Sequence, residues 1–231
     1  MTKPLCGLFI LLLLCNGLAM AQQTNTPKKL SKKPSRNPEL EGIVFTVHND
    51  FLLNLPGSPV KFRNGRSSGV TLSILGNQKF SAESRWSVAA GLGISTRHYF
   101  SNIQDWTIAG ALYPDSPAVK NKHIITTLDL PLELRFTTRE KGNIKPFKFV
   151  AGFNVGYVIG YRHKRSIGQL MNITSGDNSN RALIDWRPAL TARIGYHRIG
   201  ISGYYGLTDL FGPSAVYPGV RPWSLGISLL L

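Results

Sequence analysis

The chain has 231 residues, with 27 lysines and arginines against 12 acids, a formal charge of +15 and two cysteines. That length suits one barrel- or sandwich-sized domain, and the charge surplus points to a polyanion, either nucleic acid or phosphorylated lipid. Both thiols, Cys6 and Cys15, stand in an N-terminal apolar stretch, so disulfides and thiolate metal sites are excluded from everything after it.

Lys3, the apolar run from Leu5 to Leu14 and the ending Ala19-Met20-Ala21 are the three parts of a secretory signal peptide, assigned to residues 1–21. The run is too short for a membrane-spanning helix, which needs about 20 apolar residues. Leu14, before Cys15, is not the small residue that a lipidation site wants. Export removes nucleic acid as a partner and leaves outer-leaflet lipid, lipopolysaccharide above all. Residues 22–41 combine Lys28, Lys29, Lys32, Lys33 and Arg36 with Pro27, Pro34 and Pro38, the composition of a solvated basic tail without fixed structure.

From residue 42 onward the dominant period is two, the strand repeat, with no sustained helical spacing. Strands are expected over about 42–53, 67–76, 86–100, 123–136, 147–162, 184–196, 198–208 and 221–231. The first is the least secure, because Asn49-Asp50 interrupts it. In the third, Trp86, Val88, Leu92 and Ile94 share one face and Ser87, Ala89, Gly93, Ser95 and Arg97 the other. In the fourth, Ile124, Leu128, Leu130, Leu132 and Leu134 oppose Thr127, Asp129, Glu133 and Arg135.

Alternation alone leaves open which face is inside, because a soluble ligand-binding barrel also alternates. The second face decides it. Glycine, serine, alanine and scattered charges cannot make a soluble apolar core, but they fit the narrow lumen of eight strands. The Leu/Ile/Val/Phe face then meets lipid, with Trp86, Tyr157, Trp186 and Trp223 near its ends as interfacial aromatics. Connections over 54–66, 101–122, 163–183 and 209–220 are long and alternate with short ones, the habit of bacterial outer-membrane barrels. The expectation is an all-β protein, an eight-stranded antiparallel transmembrane up-and-down β-barrel over 42–231, in the outer membrane.

Four segments carry a family resemblance: Leu128 to Phe136 (LDLPLELRF), Lys145 to Tyr157, Tyr204 to Leu210 (YYGLTDL) and the closing Trp223-Ser224-Leu225-Gly226-Ile227. They resemble, in family order, strands of the PorT-like outer-membrane β-barrel proteins of Bacteroidetes. The resemblance implies the fold and the location. The family's namesake supports type IX protein secretion, which makes envelope or secretion-complex proteins expected partners. Leu231 departs from the aromatic residue that usually ends such barrels.

No catalytic or metal site is expected, and no cofactor. None of His48, His98, His123, His163 and His197 has a serine two residues on, and no phosphate loop or metal-ligand spacing appears. His98 and His123 are read as rim or girdle residues. Asp129, Glu133, Arg135, Lys148, Asn154, Asp185, Arg187 and Arg193 fall on the small face and are expected to form a polar network in the lumen, because an unpaired buried charge costs several kcal/mol. Arg162 also falls on that face by its parity. A symmetric 137–146 turn would set Asp129 opposite Asn154 and Glu133 diagonal to Lys148. Arg97, Lys120, Lys122, Arg162, Lys164 and Arg165 are candidates for a lipopolysaccharide-binding outer rim. These features support a non-enzymatic surface anchor or scaffold; a narrow channel or small-ligand barrel is the alternative, and a lipid A-modifying enzyme a third.

Overall fold

The computed structural model describes residues 42–54, 62–102, 119–138, 145–167, 171–175, 183–212 and 219–231. The expected signal peptide and basic tail, 1–21 and 22–41, lie outside them. Nine strands follow in order: β1 Ile43–Leu53, β2 Ser68–Lys79, β3 Trp86–Phe100, β4 Val119–Thr137, β5 Phe147–Ile167, β6 Met171–Ser175, β7 Trp186–Tyr196, β8 Ile199–Gly206 and β9 Arg221–Leu230. A 3-10 turn, Asn64–Arg66, precedes β2.

Eight of these strands close a ring in sequence order, β1 through β5, then β7, β8 and β9, with every neighbour antiparallel. The first and last strands complete it through a register running from Val44↔Leu230 to Leu53↔Arg221. Closure removes both sheet edges, the condition for backbone to lie in lipid. β6 stands outside the ring and, among the described residues, pairs with the far end of β5, His163↔Ser175 to Ile167↔Met171.

The largest departures from the sequence reading are in the β4–β5 hairpin, while β2 runs on to Lys79 rather than 76 and β7 starts at Trp186 rather than 184. β4 starts at Val119 rather than 123, β5 continues to Ile167 rather than 162, and β6 occupies part of what reads as a loop. Beyond the bilayer a hairpin needs no apolar stripe, so its ladder continues after the period-two signal has stopped. Asn49-Asp50 does not break β1: Asn49 pairs with Ser68 and Leu225, and Asp50 with Ser224. Asp50 is polar because it faces the lumen.

A bulge sits between Thr126 and Thr127 of β4, which pair with Gly160 and Val158, so Ile159 is the extra residue. Past it every side chain of β5 changes sides. Tyr161 turns in against the core and Arg162 is exposed. Arg162 therefore leaves the lumen face to which its parity assigns it. The short turn between β7 and β8 places His197 at φ 55°, a left-handed position that histidine tolerates better than most residues. Its N–H donates to Pro146 O at 3.2 Å, tying this turn to the start of β5.

The outward face is the apolar one. Ile227 is 61% exposed while its neighbour Ser228 is 0%. Leu92, Leu130, Leu132, Ile194 and Ile201 are likewise exposed on other strands. A continuous apolar band of this extent is not what a soluble monomer presents to water. Aromatics fringe it at both ends: Trp86–Phe136 (4.9 Å) and Phe147–Tyr196 (5.0 Å) beside the short turns, Tyr157–Trp186 (5.0 Å) and Phe51–Trp223 (4.4 Å) towards the long connections. The ten steps from Phe147 to Tyr157 span roughly 25 Å of height at about 3.3 Å per residue and a tilt near 40°. That matches the apolar band of outer-membrane barrels, about 25 Å.

Inside, two apolar clusters flank a polar middle. Leu52, Tyr99, Ile125 and Val158 from the walls meet Leu183, Leu210, Phe211 and Val220 from the connections, forming a plug at the long-connection end. Val44, Leu75 and Ala89, with Leu230, narrow the opposite end.

Leu132 lies midway between the two aromatic fringes. Leu132→Arg is expected to cost about 2–4 kcal/mol in denaturant unfolding from lipid vesicles, against about 0–1 kcal/mol for Ile124→Arg near the edge. Equal costs at the two depths would contradict the lipid-facing band.

Candidate functional site: the charged lumen and the outer basic face

Strand alternation sends His48 and Asp50 of β1, Arg97 of β3, Tyr204 of β8 and Ser224 of β9 into the upper lumen. Asp50 is fully buried, and its Oδ1 accepts from His48 Nδ1 (2.9 Å), Arg97 Nη1 (2.8 Å) and Ser224 Oγ (2.5 Å). Arg97 lies over the Tyr204 ring, 3.9 Å from its centroid, and also donates to Ser224 Oγ at 2.6 Å. The guanidinium is thus held by a charge, a hydroxyl and a π-face at once. Arg97 belongs to the lumen and not to the outer rim, because position 97 faces inward beside Gly69 and Ile125.

Because a carboxylate only accepts, His48 carries a proton on Nδ1. Its Nε2 meets Thr71 Oγ1 at 3.2 Å. Asp50, His48 and Thr71 stand in the order acid, imidazole, hydroxyl, an arrangement that no serine two residues from a histidine would reveal. The acid of this chain is already shared with Arg97 and Ser224, and the hydroxyl faces the lumen.

The second centre is Asp129. It accepts from Ser95 Oγ, from Thr127 Oγ1 at 3.1 Å and from Asn154 Nδ2 at 3.2 Å. The register of β4 on β5 is offset from a symmetric turn because Thr138 pairs with Phe147, its N–H donating to Phe147 O at 2.9 Å. Asp129 consequently sits opposite Gly156, and Asn154 opposite Pro131. Asn154 still reaches Asp129, diagonally. A Cβ at position 156 would stand 2.7 Å from Asp129 Oδ1, so glycine makes the room that this carboxylate uses.

Glu133 forms the third centre. Its Oε2 accepts from Arg135 Nε (2.9 Å) and from Arg193 Nη2 (2.8 Å). These two arginines take the place expected for Lys148, which lies level with Thr137 and Gly195, closer to the short turns. Arg187 is buried and donates to Leu210 O at 3.4 Å, linking the wall to the plug. Asp185 precedes β7 half-buried, its carbonyl accepting from Val158 N–H at 2.9 Å. Between the Asp50, Asp129 and Glu133 centres lies a cavity of about 100 Å³, well below the roughly 300–1,000 Å³ of ordinary ligand sites.

The histidine readings also change. His123 is buried rather than at a girdle, stacked on His163 (4.6 Å between centroids) and hydrogen-bonded through Nδ1 to Tyr161 OH at 2.8 Å. Of the expected rim, Lys122, Arg162 and Lys164 lie on the outer face of the β4–β5 hairpin. Lys120 and Arg165 share its ladder, paired with Ser166 and Asn121; their side chains are outside the described residues.

Asp50→Asn leaves Arg97 buried without its counter-charge and is expected to lower unfolding free energy by about 3–5 kcal/mol. The double change Asp50→Leu with Arg97→Met should recover most of that loss, read by the same denaturant titration in vesicles.

The family model described as outer membrane protein beta-barrel domain matches residues 43–212. No curated protein and no solved structure matches the chain. The closed eight-stranded ring with its apolar face outward agrees with that description, and the chain belongs to the outer membrane protein β-barrel domain family.

Proposed function

We propose that this barrel is a non-enzymatic, non-conducting outer-membrane anchor whose working surface is its outer connections, serving as a scaffold or accessory of an envelope or secretion complex. One observation carries the reading. The interior is committed to its own cohesion, with Asp50, Asp129 and Glu133 each engaged by several donors and an apolar plug over one end. A conducting lumen would need solvated charges along a continuous path, and a lumenal hydrolase would need room for a substrate beside its hydroxyl, where the cavity holds only about 100 Å³.

The PorT-like resemblance supports a secretion role, type IX in particular, because the four matching segments follow one another in family order. It is the basis for placing the partners among envelope proteins.

Three readouts test the proposal on the full-length chain. In planar bilayers the purified protein should give no resolved conductance steps. Lipid A from cells expressing it should keep its mass, with wild type and Thr71→Val alike. Deletion in the source organism should reduce surface display of secreted cargo. Stable single-channel steps would support the channel reading instead, and a Thr71-dependent change in lipid A mass the enzymatic one.

A further inference from the structure

The outer face above the upper aromatic fringe carries a cluster of cations that the lumen does not explain. Across neighbouring strands Phe100 pairs with Lys122, and Lys122 pairs directly with Lys164. Arg66 stands 5.8 Å and Lys122 5.9 Å from the centroid of that same Phe100 ring. One row lower, Arg162 lies opposite Ile124. We propose that Arg66, Lys122, Arg162 and Lys164 form a binding strip for the phosphorylated headgroup of an outer-leaflet glycolipid of the lipid A class.

Three observations support this. Directly opposed like charges, with Cβ atoms about 4.5–5.5 Å apart, destabilise a sheet unless something between them is negative. Among the described residues no ion pair joins these four cations to an acid: Asp50, Asp129 and Glu133 face the lumen, Asp209 pairs with Arg221 at 3.0 Å, and Glu83 lies in the turn at the other end.

The second is the bulge at Ile159. Without it Arg162 would enter the lumen; with it the guanidinium joins the two lysines on the outside. Bulges often re-aim a side chain where function needs it.

The third is height. Among the described side chains of β5, Ile159 is the last exposed apolar one, and Arg162 and Lys164 follow it on the same strand. At about 3.3 Å per residue and a tilt near 40°, they lie roughly 8 and 13 Å above it. That is where the phosphates of a glycolipid stand when its acyl chains cover the apolar band. Arginine can hold such a phosphate through two parallel N–H bonds, and the lysines contribute point charges.

The test uses the purified full-length barrel, titrated in detergent with diphosphoryl lipid A and with the same lipid after removal of its phosphates, binding being read by native mass spectrometry. Wild type should prefer the phosphorylated lipid. Lys122→Gln/Arg162→Gln/Lys164→Gln should weaken that binding by about tenfold or more, since each lost contact is charge-assisted. A control with the same loss of charge near the short turns, Lys79→Gln/Arg85→Gln/Arg198→Gln, should bind as wild type. Heat-dependent gel migration checks that each variant is folded. Lys164→Gln alone, at an exposed position, should show a smaller loss in the same direction, and Lys164→Arg should restore binding. Equal binding of the dephosphorylated lipid, wild-type affinity in the outer variants, or an equal fall in the control would each overturn the proposal. None of these outcomes depends on whether the lumen conducts or on which complex the barrel serves.

Discussion

A backbone placed in hydrocarbon has no water to accept its hydrogen bonds, and this constraint governs the rest of the molecule. The β1–β9 register is the answer to it, joining residues near the two ends of the described chain in one ladder. Once the ring is closed at eight strands its diameter is set, and with it the room available inside. Pro131 shows how closely the ladder is managed. It has no N–H to give, and the β3–β4 pairing lapses at Gly91 and Leu92 while the β4–β5 pairing continues through Pro131↔Asn154.

A narrow lumen forces the choice of residues that fill it. Large apolar side chains appear only at the two ends. The middle holds three carboxylates, Asp50 and Glu133 met by arginines and Asp129 by hydroxyls and an amide, and glycine makes the space they use. At position 152, for example, a Cβ would lie 3.3 Å from Glu133 Cγ and 2.5 Å from Thr191 Oγ1. Small residues and charges are therefore one design: at Gly69 and Gly152 the glycine of one strand receives the carboxylate of the next, Asp50 or Glu133, and an arginine from a third strand, Arg97 or Arg193, closes the pair. A buried ion pair of this kind adds little to stability relative to an apolar equivalent, yet breaking it is costly. It fixes which strand faces which and ties up the carboxylates of the interior.

Much of this can be read in the residues themselves. The in–out alternation of Trp86 to Ile94 and of Leu128 to Leu134 identifies both the strands and their outward face, because lipid on one side and a tight lumen on the other impose opposite demands at every step. The lumenal roles of Asp129, Glu133, Arg135, Asn154 and Arg193 follow from the same parity. What parity misses is whatever breaks it. The bulge at Ile159 moves Arg162 outside, and no local composition announces the extra residue. Asp50, which accepts from three side chains, reads as an interruption of its strand; only the pairing of β1 with β9 brings it to Ser224, and only the ring as a whole brings it to Arg97. The β4–β5 extension is invisible for a different reason: a hairpin in water is held by its ladder, which leaves no hydrophobic period behind.

The outward apolar face is the claim on which the rest depends, and β4 permits a direct test because both cysteines lie at positions 6 and 15, before the barrel. Leu130→Cys should be made in the chain otherwise free of thiols, reconstituted in vesicles and offered two maleimides, one lipid-soluble and one membrane-impermeant. The account predicts reaction with the lipid-soluble reagent and protection from the other. Rapid labelling of Leu130→Cys by the impermeant reagent, in protein that still shifts on heating, would place that stripe in water and contradict it.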